Sequence, residues 1–353
     1  MEKYSENNQR YAKTISAGSW HTVGLKSDGT AVATGSDNDG QCNMRVLRDI
    51  RDIVAVSAGD WHTVVLRSDG AVVAIGNNKE DQCNVSAWRD VIAISAGNWH
   101  TVGLKSDGTV VASGWNVSGQ CNVGKWSDIV AISAGGSNTV GLKSDGTVVA
   151  VGSNKDDQCN VDKWSDIIAI SAGVSHTVGL KSNGTVTAIG GNKQKQCNVG
   201  NWRDIVAVSA GDSCTIGLKS DGTVVTIGAN KYGQCNTGDW RGIVDIAVSS
   251  GDSHTVGLKS DGTVVAVGSE EHSQCRVGEW RNMMIYFDSD RLEAVKGNTE
   301  RRRVEAEHRR DEIGVELERL NKEYENLKGV ASVMHKLAIK LSIKKLNEEL
   351  SLL

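Results

Sequence analysis

Short apolar runs separated by polar turns fill the chain from residue 12 to residue 287, after which the pattern changes character. The stretch from Val91 to Asp128 shows the rule: Val91 to Ala96 is one apolar run, Thr101 to Lys105 a second and Thr109 to Ser113 a third. Such runs predict three β-strands. Ser106-Asp107-Gly108 lies between the last two runs. Asp-Gly in that place predicts a tight two-residue hairpin turn, because Gly takes positive φ without steric cost. A fourth, shorter strand has room at Gln120 to Val123.

The unit occurs seven times. His21, His62, His100, Asn138, His176, Cys214 and His254 are equivalent positions, at steps of 41, 38, 38, 38, 38 and 40 residues. From each of them to the Cys of the same copy the separation is always 21 residues. The hairpin is therefore constant, and the links around Leu47 to Asp52 and Gly242 to Ser249 absorb the extra length. One such sheet cannot bury both its faces alone, so the copies must stack, and radial stacking of units this long gives a propeller. The expected fold is all-β, a seven-bladed β-propeller of three- to four-stranded blades over residues 12–287. A disordered segment, 1–11, is expected before it and a helical, coiled-coil-like segment, 288–353, after it.

The repeated string Ser-Ala-Gly-x-x-His-Thr-Val-Gly-Leu-Lys-Ser-Asp-Gly-Thr-Val-Val-Ala-x-Gly, followed by Gly-Gln-Cys-Asn, resembles the repeat of the regulator of chromosome condensation family. It is most similar to the bacterial short-repeat branch and also to the propeller-type β-lactamase inhibitory proteins of the same superfamily. The resemblance covers residues 12–287 and implies a seven-bladed propeller that binds another protein on one face. Nuclear members that exchange nucleotide on a small GTPase carry a wedge protruding from one blade. The constant 21-residue spacing leaves no room for such an insertion within the hairpins here. Gln-Cys-Asn also stands where the family's usual Gly-Gln-Leu-Gly would be, which changes the packing group of the blade but not its strand logic.

Composition refines this reading. The 353 residues suffice for a sizeable core, and a net charge of -4 gives neither a nucleic-acid footprint nor an acidic tail. The 40 glycines suit many tight turns; proline is absent, for which no physical account is offered. Residues 1–10 lack the apolar core of a secretory signal, and no stretch is long and apolar enough to span a membrane, so a cytoplasmic protein is expected. Seven of the eight cysteines (Cys42, Cys83, Cys121, Cys159, Cys197, Cys235, Cys275) occupy one position per copy. Equivalent positions on adjacent blades lie beyond disulfide reach, so these read as reduced, buried apolar groups, and Cys214 reads as structural too.

Trp88, Trp126, Trp164, Trp202, Trp240 and Trp280 each follow the Cys by five residues, with Leu47 in that place in the first copy. They are expected to wedge between blades, each burying about 150 to 250 Å². The Asp two residues later, Asp90 or Asp128 for example, is expected to cap the linker turn. The repeated His is expected to hydrogen-bond a neighbouring backbone group, since nothing in its spacing makes two imidazoles converge on a metal. No nucleophile elbow, carboxylate dyad or phosphate-cradling loop is present. The chain is accordingly expected to be non-enzymatic and to use no cofactor.

Function is sought where the copies differ. The first strand runs up, the second down and the third up, so two loops per blade open on one face and every Asp-Gly turn on the other. Before the His position the first loop reads SW, DW, NW, GS, VS, DS and DS; before the Gln the second reads SDNDG, NNKED, WNVSG, SNKDD, GNKQK, ANKYG and SEEHS. Trp20, Trp61 and Trp99, with Trp115 from the second loop of copy three, predict an aromatic arc. Such an arc serves either as a partner-binding surface or as a plug over the central channel. Asp60, Asn98, Asp212 and Asp252 would form a polar rim, with Lys155, Lys193 and Tyr232 as further second-loop candidates. Met283 to Phe287 aligns with a first strand, as does Ala12 to Gly18, so the termini are expected to meet and close the ring.

Beyond residue 290, Ile313, Leu317, Leu320, Tyr324, Leu327, Ala331, Met334, Ala338 and Leu341 follow a heptad seam that favours self-association through residues 300–345. Gly329 could instead bend the segment into a helical hairpin. Lys336, Lys340, Lys344 and Lys345 read as a solvated face rather than a membrane-surface helix. The expected function is a non-catalytic protein-interaction module of scaffold or inhibitor type. The alternatives are regulation of a small GTPase's nucleotide state and a small-ligand or metal site at the channel mouth.

Overall fold

The computed structural model describes residues 13–248, 253–285, 309–322 and 342–347. Seven three-stranded antiparallel sheets follow one another along the chain, each with its strands in sequence order. The third copy shows the common plan: a first strand Val91–Ala96, a middle strand His100–Lys105 and a third strand Val110–Gly114. Each first strand touches the first strands of both neighbouring blades, and those of copies seven and one touch as well, so the sheets close into a ring. This is the seven-bladed β-propeller that the repeat length requires.

Three details differ from the sequence reading. No fourth strand forms: the stretch after Gly114 is a chain of turns, in which Asn122 N–H donates to Gly119 O and Val123 N–H to Cys121 O. The hairpin loop has three residues rather than two, since Lys105 N–H donates to Thr109 O and Gly108 N–H to Lys105 O, with Gly108 at φ +78. The Asp after the Trp works through its backbone. Asp90 and Asp128 adopt φ +59 and +60, and their carbonyls accept from Ser106 and Ser144 of the next hairpin. Asp is among the few side chains that tolerate this left-handed conformation, and Gly242 and Asn282 hold it in two of the other copies.

The tryptophan wedge depends on a matching gap. A Cβ on Gly103 would lie 2.8 Å from the Trp88 ring, and one on Gly141 2.8 Å from Trp126. The middle-strand glycine therefore exists to admit the indole of the preceding copy. In the one joint where Leu47 replaces Trp, Val65 replaces that glycine, and both are buried in the same cluster. That link, three residues longer than the usual one, folds into a short six-residue helix, Met44–Asp49, capped by Asn43, which sets Leu47 into the gap.

The repeated His does not bond a backbone group as expected. Its Nε2 meets the Thr hydroxyl of the next blade: His21 to Thr63 at 2.9 Å, His62 to Thr101 at 2.9 Å, His100 to Thr139 at 2.9 Å, His176 to Thr215 at 2.8 Å and His254 to Thr22 at 2.8 Å. Each Thr hydroxyl spends its own proton on a Gln carbonyl, Thr139 on Gln120 at 2.8 Å for example. The Thr oxygen must therefore accept, which makes Nε2 the protonated nitrogen of a neutral imidazole. Asn138 and Cys214 interrupt this chain of links, and both amide atoms of Asn138 are buried without a partner. The SAG serine adds a second link, as Ser95 Oγ accepts from Ala134 N–H of the next blade at 2.9 Å.

Both termini complete the first blade. Ile15–Ala17 pairs with the middle strand His21–Leu25, while Met283 bridges Lys26 and Met284 N–H donates to Leu25 O at 2.9 Å. One first strand is thus assembled from two ends of the propeller, and hydrogen bonds close the ring. Residues 286 and 287 lie outside the described residues, as does the segment 1–12.

The chain divides into two compact units, Met1–Leu292 and Glu293–Leu353. In the second, residues 309–322 and 342–347 are helical. Ile313 and Leu320 are buried and Leu317 half-buried along one stripe, while Val315 is 70% exposed. Tyr324 to Leu341 of the predicted seam lies outside the described residues. No helix among the described residues is long and apolar enough to cross a membrane.

Candidate functional site

The loop after each first strand and the loop after each third strand open at the same end of the blade. The backbone ties them together: Ser36 N–H donates to Trp20 O, Asn77 N–H to Trp61 O and Trp115 N–H to Trp99 O, at 2.8, 2.9 and 2.9 Å. The loop residue before the His is thus fixed at the edge of its own blade, and the next blade presents the same position beside it.

Trp20, Trp61 and Trp99 form a ladder. Their ring centroids are 6.3 Å apart between Trp20 and Trp61 and 6.0 Å between Trp61 and Trp99, with planes tilted by 43° and 31°. All three are half-buried. His272, from the second loop of copy seven, caps the ladder, edge to face with Trp20 at 4.9 Å. The sequence reading missed His272; the available signal was that ring closure places copy seven beside copy one. Copies four to seven hold Ser137, Ser175, Ser213 and Ser253 at the indole position, so the aromatic surface ends at Trp99.

The remaining candidates are more dispersed. Trp115, expected in the same arc, is half-buried and donates its backbone N–H to Trp99 O, but its indole makes no ring contact with the ladder. Asp60 is 8% exposed and accepts from Ser19 Oγ at 2.6 Å, so its carboxylate braces the loops of copies one and two. Asn98 is half-buried, with its Oδ1 lacking a hydrogen-bond partner. Burial raises the Asp212 carboxyl above its ordinary pKa. Tyr232 is 43% exposed, and the Lys231 ammonium lies 5.0 Å from its ring centre. Lys155 and Lys193 are exposed. Asp252 lies outside the described residues.

The repeated polar groups are built for the ring. Burial holds the pKa of His21, His62 and His254 down to about 3 and that of His100 and His176 to about 4. The cysteines are free thiols. Most place Sγ against a backbone carbonyl, as Cys83 does with Asn77 O at 3.2 Å. Burial pushes the thiols of Cys83, Cys121, Cys159 and Cys197 up to about 11 and those of Cys42 and Cys275 to about 12, with Asp37 and Glu270 adding to the last two. Among the described residues no group of three His, Cys, Asp or Glu side chains is placed to hold a metal ion.

No curated protein sequence matches the chain. Among solved structures, the propeller of the Arabidopsis thaliana receptor kinase ACR4 ectodomain is similar at 21% identity and a TM-score of 0.60, over 73% of this chain and 95% of that one. The ectodomain of the Physcomitrella patens receptor kinase CR4 matches at 20% identity and 0.61, over 72% of each chain. Prp20p of Saccharomyces cerevisiae matches at 16% identity and 0.57, over 79% of this chain and 87% of that one. These likenesses concern the fold. The family model for the regulator of chromosome condensation (RCC1) repeat matches residues 12–41, 53–82, 91–120, 129–158, 167–196, 205–234 and 246–274. With more than half of its residues in these seven matches, one per blade, the chain belongs to the regulator of chromosome condensation (RCC1) repeat family.

Proposed function

We propose that this chain is a non-catalytic interaction module that binds another protein on the loop face of the propeller, with Trp20, Trp61 and Trp99 as its anchor. The observation that carries this reading is the ladder itself. Three consecutive blades spend an indole at a position where four others use serine. The inter-blade gaps are already filled by a separate set of tryptophans, so the ladder is not needed to hold the ring. Indoles that are half-buried and contiguous are the usual anchors of protein interfaces. The neighbour Prp20p has been crystallised with Kap60, and its binding to Gsp1p and histones is described. Those partners belong to that protein; the likeness supports a propeller that serves as an interaction or regulator module. The second unit, residues 293–353, is proposed to tether or oligomerise the propeller.

The test is affinity capture from host lysate with the full chain beside a variant carrying Trp20→Ala, Trp61→Ala and Trp99→Ala. A partner held by the first and lost by the folded variant supports the reading. Equal capture by both moves the function away from this face.

A further inference from the structure

The second loops are not distributed at random around the ring, and their charge follows the indoles. The second loop of each copy lies against the next blade. The Ser273 carbonyl of copy seven accepts from Thr34 of blade one at 3.1 Å, the Asp39 carboxylate of copy one from Asn77 of blade two at 2.8 Å, and the Asp81 carbonyl of copy two from Ser113 of blade three at 2.8 Å. The three blades that carry Trp20, Trp61 and Trp99 are therefore flanked by Glu270 and Glu271, by Asp37 and Asp39, and by Glu80 and Asp81. Lys79 is the one cation in these three loops. Beyond the ladder the pattern changes. The loop of copy three, Asn116-Val117-Ser118, is uncharged; copy four mixes Lys155 with Asp156 and Asp157; copies five and six offer Lys193, Lys195 and Lys231 with no acid. Glu80, Asp81, Glu270, Glu271 and Asp37 are all exposed.

Resting on the reading above, we propose that the partner lays a basic segment, with successive Arg or Lys side chains, along the Trp20–Trp61–Trp99 ladder. Indole faces attract cations through the ring quadrupole, and Arg stacks on them best. The acidic loops beside each indole add the long-range attraction and repel an acidic partner. The spacing fits a polypeptide. Alternate residues of an extended segment lie about 6.6 to 6.8 Å apart and four-residue steps of a helix about 6.0 Å, against 6.0 to 6.3 Å between the indoles. The outer face of Trp99 is the natural end point, because Gly136 and Ser137 stand where a fourth ladder residue would block it.

The probe is a seven-residue peptide of alternating Arg and Ser, capped at both ends, titrated into the full chain by calorimetry and indole fluorescence. The proposal predicts saturable binding that weakens about tenfold or more between 50 and 500 mM salt, and no binding of the same peptide with Glu for Arg. The Trp20→Ala, Trp61→Ala, Trp99→Ala protein should bind at least about tenfold more weakly. So should Glu80→Gln, Glu270→Gln, Glu271→Gln, whose exposed side chains can be neutralised without disturbing the fold, and which decides the matter if the first variant does not fold. Absence of binding, or binding unaffected by either variant, overturns the proposal. If lysate capture still depends on the indoles but not on the three glutamates, the interaction face stands and its basic partner does not. If capture ignores the indoles as well, both readings fall.

Discussion

The five His–Thr links make the propeller acid-labile by an amount that can be worked out. Each imidazole is fully buried and neutral, with its pKa held at about 3 or 4 against an ordinary 6.5. A base whose folded pKa is depressed is protonated first in the unfolded chain. Its contribution to stability is fully present above pH 6.5 and is lost as the pH falls from there towards 3 or 4. At pH 5.5 each His costs about 1.3 kcal/mol relative to neutral pH, and five cost about 6 kcal/mol, comparable with the whole net stability of a typical domain. The exposed turn aspartates, Asp107 and Asp145 among them, are held low by hydrogen bonds from Thr109 and Thr147 and titrate only in more acidic solution. The assay is urea unfolding followed by indole fluorescence at a series of pH values between 8 and 5. The free energy should be flat above pH 7 and then fall with a slope approaching five protons. His100→Asn, which copies the natural Asn138, should lower the overall stability and reduce that slope by one proton. A flat profile down to pH 5.5, or an unchanged slope in His100→Asn, refutes the buried neutral imidazoles.

Other expectations follow from the joints between blades. Asn138→His should restore the missing link to Thr177, remove the two unpartnered amide atoms and raise stability by about 1 to 2 kcal/mol in the same urea assay; a loss would mean that the gap cannot take the ring. Gly103→Val should destabilise by about 2 to 4 kcal/mol through its clash with Trp88. Adding Trp88→Leu should recover part of that loss, because Leu47 with Val65 already solves the same joint; purely additive effects in the double-mutant cycle would reject the pairing. The six native thiols of Cys42, Cys83, Cys121, Cys159, Cys197 and Cys275, raised to about 11 or 12, should resist iodoacetamide at pH 8 for hours, whereas the urea-unfolded chain should be alkylated at all eight cysteines, as read by mass spectrometry.

Much of this architecture was legible because the sequence states it seven times. The 38-residue step and the fixed 21-residue interval located the hairpins, and the Trp five residues after the Cys in six of the seven copies announced a wedge. What was not legible concerns contacts between copies, since a repeat aligned with itself hides which residue meets the next blade. Nothing in HTVGL itself marks the Thr as the partner of the preceding blade's imidazole. Val65 in place of glycine has meaning only once it is seen to pack with Leu47 of the preceding copy. The Gln-Cys-Asn stretch alternates in polarity as a strand would, but the Asn116 side chain accepts from Cys121 N–H at 2.8 Å and turns the chain instead. The indole ladder was visible as three consecutive tryptophans on adjacent copies. His272 and the acidic loops beside the ladder were not, because their significance depends on each second loop lying against the following blade.

Hydrogen–deuterium exchange of the full chain with and without its captured partner would show whether the partner sits on the loop face. Protection is expected in the first loops of copies one to three, residues 18–21, 59–62 and 97–100, and in the second loops that flank them, with the Asp-Gly turns at the opposite end unchanged. Protection confined to those turns, or to residues 293–353, would place the partner elsewhere.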